Sequence, residues 1–369
     1  MDGRTLLLVG AGNAHLGVID DIRKKGAPSA RVILVEPRDA MYYSGMVPGW
    51  LAGEYRASEA MIPLAPLVEE TGIEWHRSEL VALDAQARKA TLADGAVLEF
   101  DVCSIATGGA GQAARLLGDD PRLLDIRPID AFVERWRALR DSPAPPRRIA
   151  VVGGGAGGVE LAFGAANAPL PHAARVILVT GDKGLLPDHS AAVRRSVAKE
   201  LASQEIRTIA VEAQFRDGKL VAGAEPLGRI DLVIAAVGSG APDWPRQSGL
   251  PVDGDGFIEV DAHQRVCGHP HIFAAGDIAR RTDRDLPHSG VHAVYAGPVL
   301  AKNLRAALAG REPSGAYRGR GMDFYLLNTG RGEAIVSYGR VALRARWLRR
   351  LKDWLDRRWI RRFTRPGGP

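Results

Sequence analysis

The stretch LLLVGAGNAH, residues 6–15, joins a run of β-forming residues to closely spaced glycines, and IAVVGGGAGGVELA, residues 149–162, repeats this arrangement. A strand that ends in a glycine-rich turn and continues into a helix is the phosphate-binding segment of a dinucleotide-binding βαβ unit. One such turn is a weak signal, because tight glycine turns occur in many folds. Two of them in a chain of 369 residues predict two dinucleotide pockets.

The elements around the two turns follow the same order. A second strand comes next in each copy, RVILVEP at 31–37 and RVILVTG at 175–181, and each copy ends in an apolar run followed by glycine, VCSIATGG at 102–109 and LVIAAVGSG at 232–240. Strands that alternate with helices predict an α/β fold with parallel sheets, here two Rossmann-like domains. Hairpin signals lie between these runs, at Asp94-Gly95 and Asp217-Gly218.

We expect the chain to return to its first domain after the second copy. The stretch IFAAGD at 272–277 and a helix predicted from about 289 to 308 follow without a third glycine turn, so the second domain is predicted to be an insertion in the first. A predicted helix at 125–140 and the turn-rich DSPAPPRR link the two. The predicted boundaries are 1–118 and 253–318 for the first domain, 119–252 for the second with its linker helix, and 319–369 for a C-terminal tail.

Composition excludes several classes of protein. Two cysteines, Cys103 and Cys267, make neither a disulfide framework nor a CxxC redox pair. A metal site at Cys267, His269 and His271 is not predicted, because a fourth ligand is missing nearby. The first strand begins near residue 4 and no run of 18 uncharged apolar residues occurs, so we expect a cytoplasmic protein without a signal peptide or a membrane span.

The basic charge is concentrated in the tail. Residues 340–369 carry eleven basic and two acidic residues, a net charge of +9 against +6 for the whole chain, which leaves the rest at −3. This pattern is typical of an amphipathic helix at a membrane surface. Packing on the protein's own body or on a partner remains an alternative, and nucleic acid is not expected because the rest of the chain is acidic. The apolar residues at near-helical spacing are Trp347, Leu348, Leu351, Trp354, Leu355, Trp359 and Phe363.

The first glycine turn carries the features of a dinucleotide site. Gly10 permits the tight turn, and Gly12 lets the backbone approach a pyrophosphate at the helix N-terminus. Glu36 ends the second strand, where a carboxylate can accept hydrogen bonds from both ribose hydroxyls. His15 stands where the pattern has its third glycine, either as a packing residue or near the phosphates.

The second glycine turn is complete, with Gly153, Gly155 and Gly158, but its second strand ends in Thr180 rather than in an acid. A nicotinamide cofactor would therefore lack the usual ribose carboxylate. Thr180 and Lys183 could tolerate or favour a 2′-phosphate, or the pocket could be vestigial. The sequence leaves NADH and NADPH open.

These motifs together resemble the FAD-dependent pyridine nucleotide-disulfide oxidoreductase superfamily over nearly the whole chain. The stretches GNAHL, YYSGMVPGWLAGEY at 42–55 and the basic tail look most like its type II NADH:quinone oxidoreductase branch and, more closely, like the flavoprotein module fused to selenide, water dikinase. The motifs that carry the resemblance are Gly10–His15, Glu36, Ala106-Thr107-Gly108, Gly153–Glu160 and IFAAGD.

The resemblance implies roles for particular residues. Asp277 would bind the ribityl chain of FAD, Thr107-Gly108 would lie near the flavin, and Glu160 would lie near the nicotinamide end of the second pocket. The helix from Ser289 would aim its positive end at the flavin pyrimidine ring, where it would stabilise an anionic reduced flavin. The FAD-binding candidates are Gly10, Gly12, Asn13, Ala14, His15, Glu36, Arg38, Leu80, Thr107, Gly108, Gly276, Asp277 and Val291. The NAD(P)H-binding candidates are Gly153, Gly155, Gly158, Thr180 and Lys183. The flavin-pocket candidates are Tyr43, Ser44, Pro48, Glu160, His292 and Tyr295.

The resulting hypothesis is an FAD enzyme that passes hydride from NAD(P)H to flavin and electrons to a quinone or similar acceptor, without a redox-active disulfide. It would sit peripherally on the inner face of the cell membrane, and its oligomeric state is left open, with a homodimer as one option. The glutamine pattern of type II NADH dehydrogenases is replaced here by Val291 and Tyr295, which weakens the assignment of quinone. The alternatives are a redox module of selenium or sulfur metabolism with a soluble acceptor, and a flavin-binding interaction protein with a degenerate nicotinamide pocket.

Overall fold

The computed structural model describes residues 3–319 and 324–364, and all statements below concern these ranges. Residues 320–323 and 365–369 of the predicted tail lie outside them. Besides two short 3₁₀ turns at Ser44–Met46 and Ala57–Ala60, the described helices are α1 (Asn13–Lys25), α2 (Val47–Leu51), α3 (Leu64–Thr71), α4 (Ala113–Leu117), α5 (Ile129–Arg140), α6 (Ala156–Ala166), α7 (Ala191–Ser203), α8 (Trp244–Gln247), α9 (Gly290–Leu308) and α10 (Arg346–Thr364).

The strands fall into three groups along the chain. The first group is β1 (Arg4–Val9), β2 (Ala30–Val35), β3 (Ala40–Tyr42), β4 (Met61–Pro63), β5 (Glu74–His76), β6 (Leu80–Asp84), β7 (Lys89–Leu92), β8 (Val97–Glu99) and β9 (Val102–Ile105). The second is β10 (Leu123–Asp125), β11 (Arg148–Val152), β12 (Arg175–Val179), β13 (Arg207–Ile209), β14 (Ala213–Arg216), β15 (Lys219–Ala222), β16 (Glu225–Pro226) and β17 (Leu232–Ala235). The third is β18 (Ile258–Val260), β19 (Ile272–Ala274), β20 (Ala279–Arg281), β21 (Phe324–Asn328), β22 (Ala334–Tyr338) and β23 (Val341–Ala345).

The first large sheet is parallel, in the order β19-β9-β1-β2-β5. Its central strands are apolar on both faces, and Leu8 is fully buried between Leu34 of β2 and Ser104 of β9. Such continuous apolar runs suit a parallel sheet covered by helices on both sides. Because β19 pairs with β9, residues 272–274 complete the sheet that residue 4 begins.

The second large sheet repeats the first in the order β10-β17-β11-β12-β13, again parallel. The α/β fold class with two Rossmann-like sheets is therefore confirmed. The predicted helix at 125–140 is partly wrong, because Leu123–Asp125 form strand β10 and helix α5 begins at Ile129. Pro128 disfavours a helical conformation at the residue before it, so the helix starts after the proline. The exact domain boundaries remain predictions.

Smaller antiparallel sheets complete the fold. One contains β6, β7 and β8, and a corresponding sheet in the second half contains β14, β15 and β16. The predicted hairpin turn at Asp94-Gly95 joins β7 to β8, and the one at Asp217-Gly218 joins β14 to β15. A third contains β21, β22 and β23 and leads directly into α10. Helices α1 and α9 approach closely at Gly17 and Gly297, where a side chain on either glycine would meet the other helix's backbone. This contact fixes α9 against the helix that follows the first glycine turn.

The tail forms the predicted helix, but its faces differ from the prediction. Leu348, Ile360 and Phe363 pack inward together with the charged Arg349 and Asp356. Three apolar residues instead face solvent, with exposed fractions of 56% for Trp347, 51% for Trp354 and 40% for Leu355. The expected division into one apolar and one cationic face is therefore wrong, because acidic residues of the body pair with the inward cations. None of the helices in the described part of the chain is long and apolar enough to cross a bilayer.

Candidate functional site

A cleft opens at the carboxyl ends of the strands in the first sheet. Ligands of open α/β sheets bind at this edge. The cleft is bordered by the segments that follow β1, β2, β9 and β19. The candidates from the sequence that line it are Gly12, Asn13, Ala14, Arg38, Tyr43, Ser44, Thr107, Gly108, Gly276 and Asp277.

The first glycine turn requires glycine at residues 10 and 12. Gly10 has φ +83°, a left-handed conformation that side chains disfavour. A side chain at Gly12 would collide with the carbonyl oxygen of Ala106, to which the Gly12 amide donates a 3.1 Å hydrogen bond. The turn therefore lies directly against the end of β9 and delivers the N-terminus of α1 to the cleft.

Glu36 is completely buried beside this turn. Its carboxylate accepts the amide of Ala11 at 2.8 Å and the amide of Arg38 at 3.1 Å. The guanidinium of Arg38 donates to both carboxylate oxygens, at 2.6 and 2.9 Å. The carboxylate is thus fixed at the end of β2, where the sequence predicts a ribose acceptor.

His15 lies in the interior rather than in the cleft. Its Nδ1 is 2.5 Å from the carbonyl oxygen of Gly10, and its Nε2 is 2.8 Å from the Ser104 hydroxyl of β9. Burial lowers the pKa of His15 to about 4. At the matching position of the second turn, a side chain on Gly158 would collide with the carbonyl of Gly153. The first turn instead bonds the same carbonyl to an imidazole, so of the two roles left open for His15 the geometry supports packing.

Three buried polar atoms along the cleft lack a hydrogen-bond partner among the described residues: Thr107 Oγ1, Asp130 Oδ1 and Asp277 Oδ1. The other oxygen of Asp277 accepts from Arg127 at 2.7 Å. Buried polar atoms are costly unless they are bonded, so these atoms fit a ligand rich in hydroxyl and amide groups. FAD is such a ligand, and its ribityl chain offers the donors that a carboxylate oxygen requires.

Helix α9 begins at the cleft. The Ser289 hydroxyl caps it by accepting the amide of His292 at 3.4 Å, and Gly290 and Ala293 line the cleft. The positive end of the helix dipole therefore faces the ligand. His292 instead turns toward Tyr317, whose hydroxyl lies 2.8 Å from Nδ1, and Tyr295 is 49% exposed.

Several candidates from the sequence do not line the cleft. Pro48 is buried in α2 against Gly164 of α6, and Leu80 belongs to the core under β6. The full set outside the cleft lining is Gly10, His15, Glu36, Pro48, Leu80, Glu160, Val291, His292 and Tyr295. Their roles toward a cofactor stay predictions.

The second glycine turn leaves open space in front of α6. A side chain at Gly155 would meet no described atom within 4 Å, which is the kind of cradle that a pyrophosphate requires. Thr180 is buried, and its hydroxyl donates to the carbonyls of Gly181 and Ile209. This orientation does not favour the contact with a 2′-phosphate that the sequence suggested for Thr180. An acid from elsewhere in the chain lies close to this strand end, because the amide of Asp182 donates to Oε1 of Glu212, in the segment after β13, at 3.2 Å.

A buried charged cluster, which the sequence did not reveal, joins α10 to the cleft. Lys352 Nζ donates to the carbonyl of Gly45 at 2.9 Å and to Asp356 at 3.0 Å. Burial lowers the pKa of Lys352, but Asp356 and Glu160 outweigh it and raise that pKa above its ordinary value. Burial also raises the pKa of Glu160, whose carboxylate accepts the amide of Asn328 at 2.8 Å. A lysine among arginines is a weak signal. Its pairing with Asp356 has i,i+4 helical spacing, but its contacts with Gly45 and Glu160 join segments that are distant in sequence and cannot be read from spacing.

Neither cysteine lines the cleft. Cys103 is buried in β9, where burial raises the pKa of its thiol, and Cys267 is a half-buried free thiol. His271 uses Nε2 to bond the carbonyl of Ala85 at 2.8 Å. Over residues 3–319 and 324–364, no three His, Cys, Asp or Glu side chains are grouped to hold a metal.

Comparisons with known proteins agree with this geometry. The model of the pyridine nucleotide-disulphide oxidoreductase family matches residues 4–297. Demethylphylloquinone reductase NdbB of Synechocystis sp. is 27% identical over 89% of this chain and 87% of its own length. Ferroptosis suppressor protein 1 of Taeniopygia guttata is 24% identical, over 91% and 89% respectively.

Solved structures share the fold. NDH2 from Plasmodium falciparum, in complex with NADH, superposes with a TM-score of 0.76 at 14% identity and covers 100% of both chains. The sulfide:quinone oxidoreductase of Aquifex aeolicus superposes with a TM-score of 0.77 at 15% identity and covers 98% of this chain and 92% of its own.

Proposed function

This chain belongs to the pyridine nucleotide-disulphide oxidoreductase family, and on that premise we propose that it reduces a quinone held in a membrane. It is an FAD-dependent oxidoreductase that uses NAD(P)H. FAD supplies the chemistry when bound, since it accepts a hydride and can release the electrons to a second substrate. The quinone and the membrane surface are the parts that we add.

The residues of the cleft would hold and orient the flavin. Thr107 and Asp277 offer unpartnered oxygens to its hydroxyl and amide groups. Gly12, Asn13 and Ala14 line the cleft at the N-terminus of α1, which suits the pyrophosphate. The start of α9 at Gly290 would favour negative charge on the flavin ring. These groups bind and position, so no side-chain nucleophile is needed.

One observation carries the proposal of a membrane-held quinone: α10 exposes Trp347, Trp354 and Leu355 among its outward arginines, and its inner side touches the wall of the cleft. On the inner side, Lys352 bonds to the carbonyl of Gly45, next to the cleft residue Ser44. The outer apolar face, as we define it, also includes exposed residues of β22 and β23. Its members are Tyr338, Val341, Leu343, Trp347, Trp354 and Leu355.

The charge around this face supports the same proposal. Arg346, Arg350, Arg358 and Arg361 of α10 are exposed, and each basic residue near an anionic lipid surface contributes about 1 kcal/mol. Indole rings beside arginines are typical of helices that lie in the interface of a bilayer. A protein docked in this way brings the cleft wall close to lipid, where long-chain quinones dissolve. The two relatives named above are similar in sequence over most of their length, and one is called a quinone reductase.

The test is a two-stage stopped-flow experiment under anaerobic conditions. NADH or NADPH is first mixed with the FAD-loaded protein, and flavin bleaching is recorded. The reduced protein is then mixed with anionic vesicles that contain a long-chain quinone, or with a water-soluble short-chain quinone. We expect the Trp347→Ala/Trp354→Ala variant to be slowed with the vesicles alone.

The outcomes separate the hypotheses. Failure of both nicotinamides to bleach the flavin would leave a flavin-binding interaction protein with a degenerate nicotinamide pocket. Bleaching without reoxidation by either quinone would favour a soluble acceptor, as in the selenium or sulfur alternative. Equal rates of the variant and the original protein with vesicles would contradict the membrane part.

A further inference from the structure

The ends of β2 and β12 can be compared between the two halves of this chain, because the same backbone hydrogen bonds form at both. The amide of Gly10 donates to Val35, and that of Gly153 donates to Val179, both at 2.8 Å. The next residue, Glu36 or Thr180, donates to the neighbouring strand in each half. Thr180 therefore corresponds to Glu36, and Asp182 corresponds to Arg38.

In the first half, the carboxylate of Glu36 accepts the amide of Arg38 at 3.1 Å. In the second half, the corresponding amide of Asp182 donates to a carboxylate as well, 3.2 Å from Oε1 of Glu212. Glu212 comes from a different segment, three residues after β13. A carboxylate thus accepts the corresponding amide at both strand ends, although the second one is supplied from elsewhere in the chain.

Gly181 makes room for this carboxylate. Its φ of +71° disfavours any other residue, and a side chain there would lie 2.7 Å from Glu212 Oε1. Thr180 cannot compete for the same place, because its hydroxyl is turned toward the carbonyl of Ile209. The turn after β12 therefore has room at its tip, Gly181 and Asp182, for the carboxylate of Glu212, which comes from the segment after β13.

The charge at this tip is negative on balance. Asp182 and Lys183 are exposed beside Glu212, so the three side chains sum to one negative charge. A ribose with free 2′ and 3′ hydroxyls offers donors to a carboxylate, whereas a 2′-phosphate adds negative charge where a carboxylate already stands. Binding of the phosphorylated ribose would be opposed by repulsion and by the loss of the hydroxyl donor.

We propose that Glu212 binds the adenosine ribose in the second half and makes this pocket select NADH over NADPH. The inference rests on the proposed function, because it requires that the second glycine turn bind a nicotinamide dinucleotide. It answers a question that the sequence leaves open, since Thr180 and Lys183 could tolerate or favour a 2′-phosphate or the pocket could be vestigial.

The test uses the FAD-loaded full-length protein and two ligands that cannot reduce flavin, ADP-ribose and 2′-phospho-ADP-ribose. Isothermal calorimetry gives a dissociation constant for each. We expect ADP-ribose to bind at least tenfold more tightly than 2′-phospho-ADP-ribose. The loss of one hydrogen bond to a charged group weakens binding by about that factor. Glu212→Gln should weaken ADP-ribose about tenfold and reduce the preference, and Glu212→Arg should favour the phosphorylated ligand.

Glu225→Gln is the matched control, because it removes one exposed carboxylate from the neighbouring strand β16. Equal effects of Glu212→Gln and Glu225→Gln would overturn the assignment of Glu212, as would tighter binding of 2′-phospho-ADP-ribose by the unaltered protein. In both cases bleaching of the flavin by a nicotinamide would leave the proposed function standing. Failure of both ligands to bind, with no bleaching by NADH or NADPH, would instead refute the proposed function itself.

Discussion

Lys352 in the last helix lies with its Nζ 2.9 Å from the carbonyl oxygen of Gly45, in the loop beside the flavin cleft. The residue before Gly45, Ser44, lines the cleft, and the residue after it, Met46, is buried in the core. The helix therefore braces the wall of the cleft through a buried cation. Near that cation are Asp356, one helical turn further along α10, and Glu160, which belongs to α6 in the second half of the chain.

Replacement of this cation is expected to destabilise the protein strongly. Lys352→Met leaves Asp356 buried without its partner, and removal of one member of a buried ion pair costs about 3–5 kcal/mol. The measurement is the free energy of unfolding in urea with saturating FAD. Lys302→Met, at an exposed position of α9, is the matched control and should change stability little. Removal of both charges in Lys352→Met/Asp356→Leu should recover part of the loss. A single variant as stable as the control would contradict a buried pair.

His15 should make stability depend on pH in a defined window. Its pKa in the folded protein is about 4 because burial disfavours the charged ring, against 6.5 in the unfolded chain. The unfolded chain therefore binds the proton more readily, so the contribution is complete above pH 6.5 and is lost as pH falls toward 4. The size is up to about 3 kcal/mol.

The check is unfolding in urea at several pH values for the original protein and for His15→Gln. We expect the variant to lose less stability between pH 6.5 and 4, while His269→Gln, in a surface turn, should follow the original curve. If the free energy of unfolding fell equally with pH in all three proteins, the lowered pKa of the buried His15 ring would be contradicted.

Gly12 should be intolerant of even a methyl group. Gly12→Ala would drive a side chain into the carbonyl of Ala106 and would separate the turn from β9. Overpacking of this kind costs about 1–3 kcal/mol, and it also blocks the approach of a pyrophosphate. We expect less than about a tenth of the original FAD content, measured by flavin absorbance per protein. Gly254→Ala, where the added methyl group meets no described atom within 4 Å, should keep its FAD.

The outer apolar face should govern binding to vesicles. Trp347 and Trp354 are each about half exposed, and burial of half an indole side chain contributes about 2 kcal/mol. Loss of both in Trp347→Ala/Trp354→Ala should weaken binding to anionic vesicles on the order of a hundredfold or more in a flotation assay. Leu116→Ala/Val97→Ala removes exposed apolar residues elsewhere and should float normally. Normal flotation of the tryptophan variant would exclude this face as the docking surface.

Sequence reasoning succeeds where the signal is local. The positions of Gly10, Gly12 and Gly153 follow from chemistry within a few residues, because a tight turn against a strand end accepts little else. The two parallel sheets follow from the apolar runs around these turns. Glu36 could be predicted for the same reason, since it ends the strand that succeeds the turn.

Prediction fails where two distant segments meet. Glu212 lies more than thirty residues beyond Thr180, so its arrival at the strand end depends on how the next connection folds back. In α10, apolar residues occupy more than one side of the helix. The inward side is chosen by Glu54, Glu59 and Asp20, which pair with its arginines from the body. Helical spacing alone contains no information about those acids.

The pairing of β19 with β9 has a consequence for synthesis on the ribosome. The first sheet lacks its last strand until residue 274 has been made, whereas the strands of the second sheet all lie between Leu123 and Ala235. The second sheet can therefore form while the first sheet still lacks β19, its edge strand next to β9. During that interval the exposed side of β9 is open to pairing with other chains, which makes it the stretch most in need of protection before translation ends.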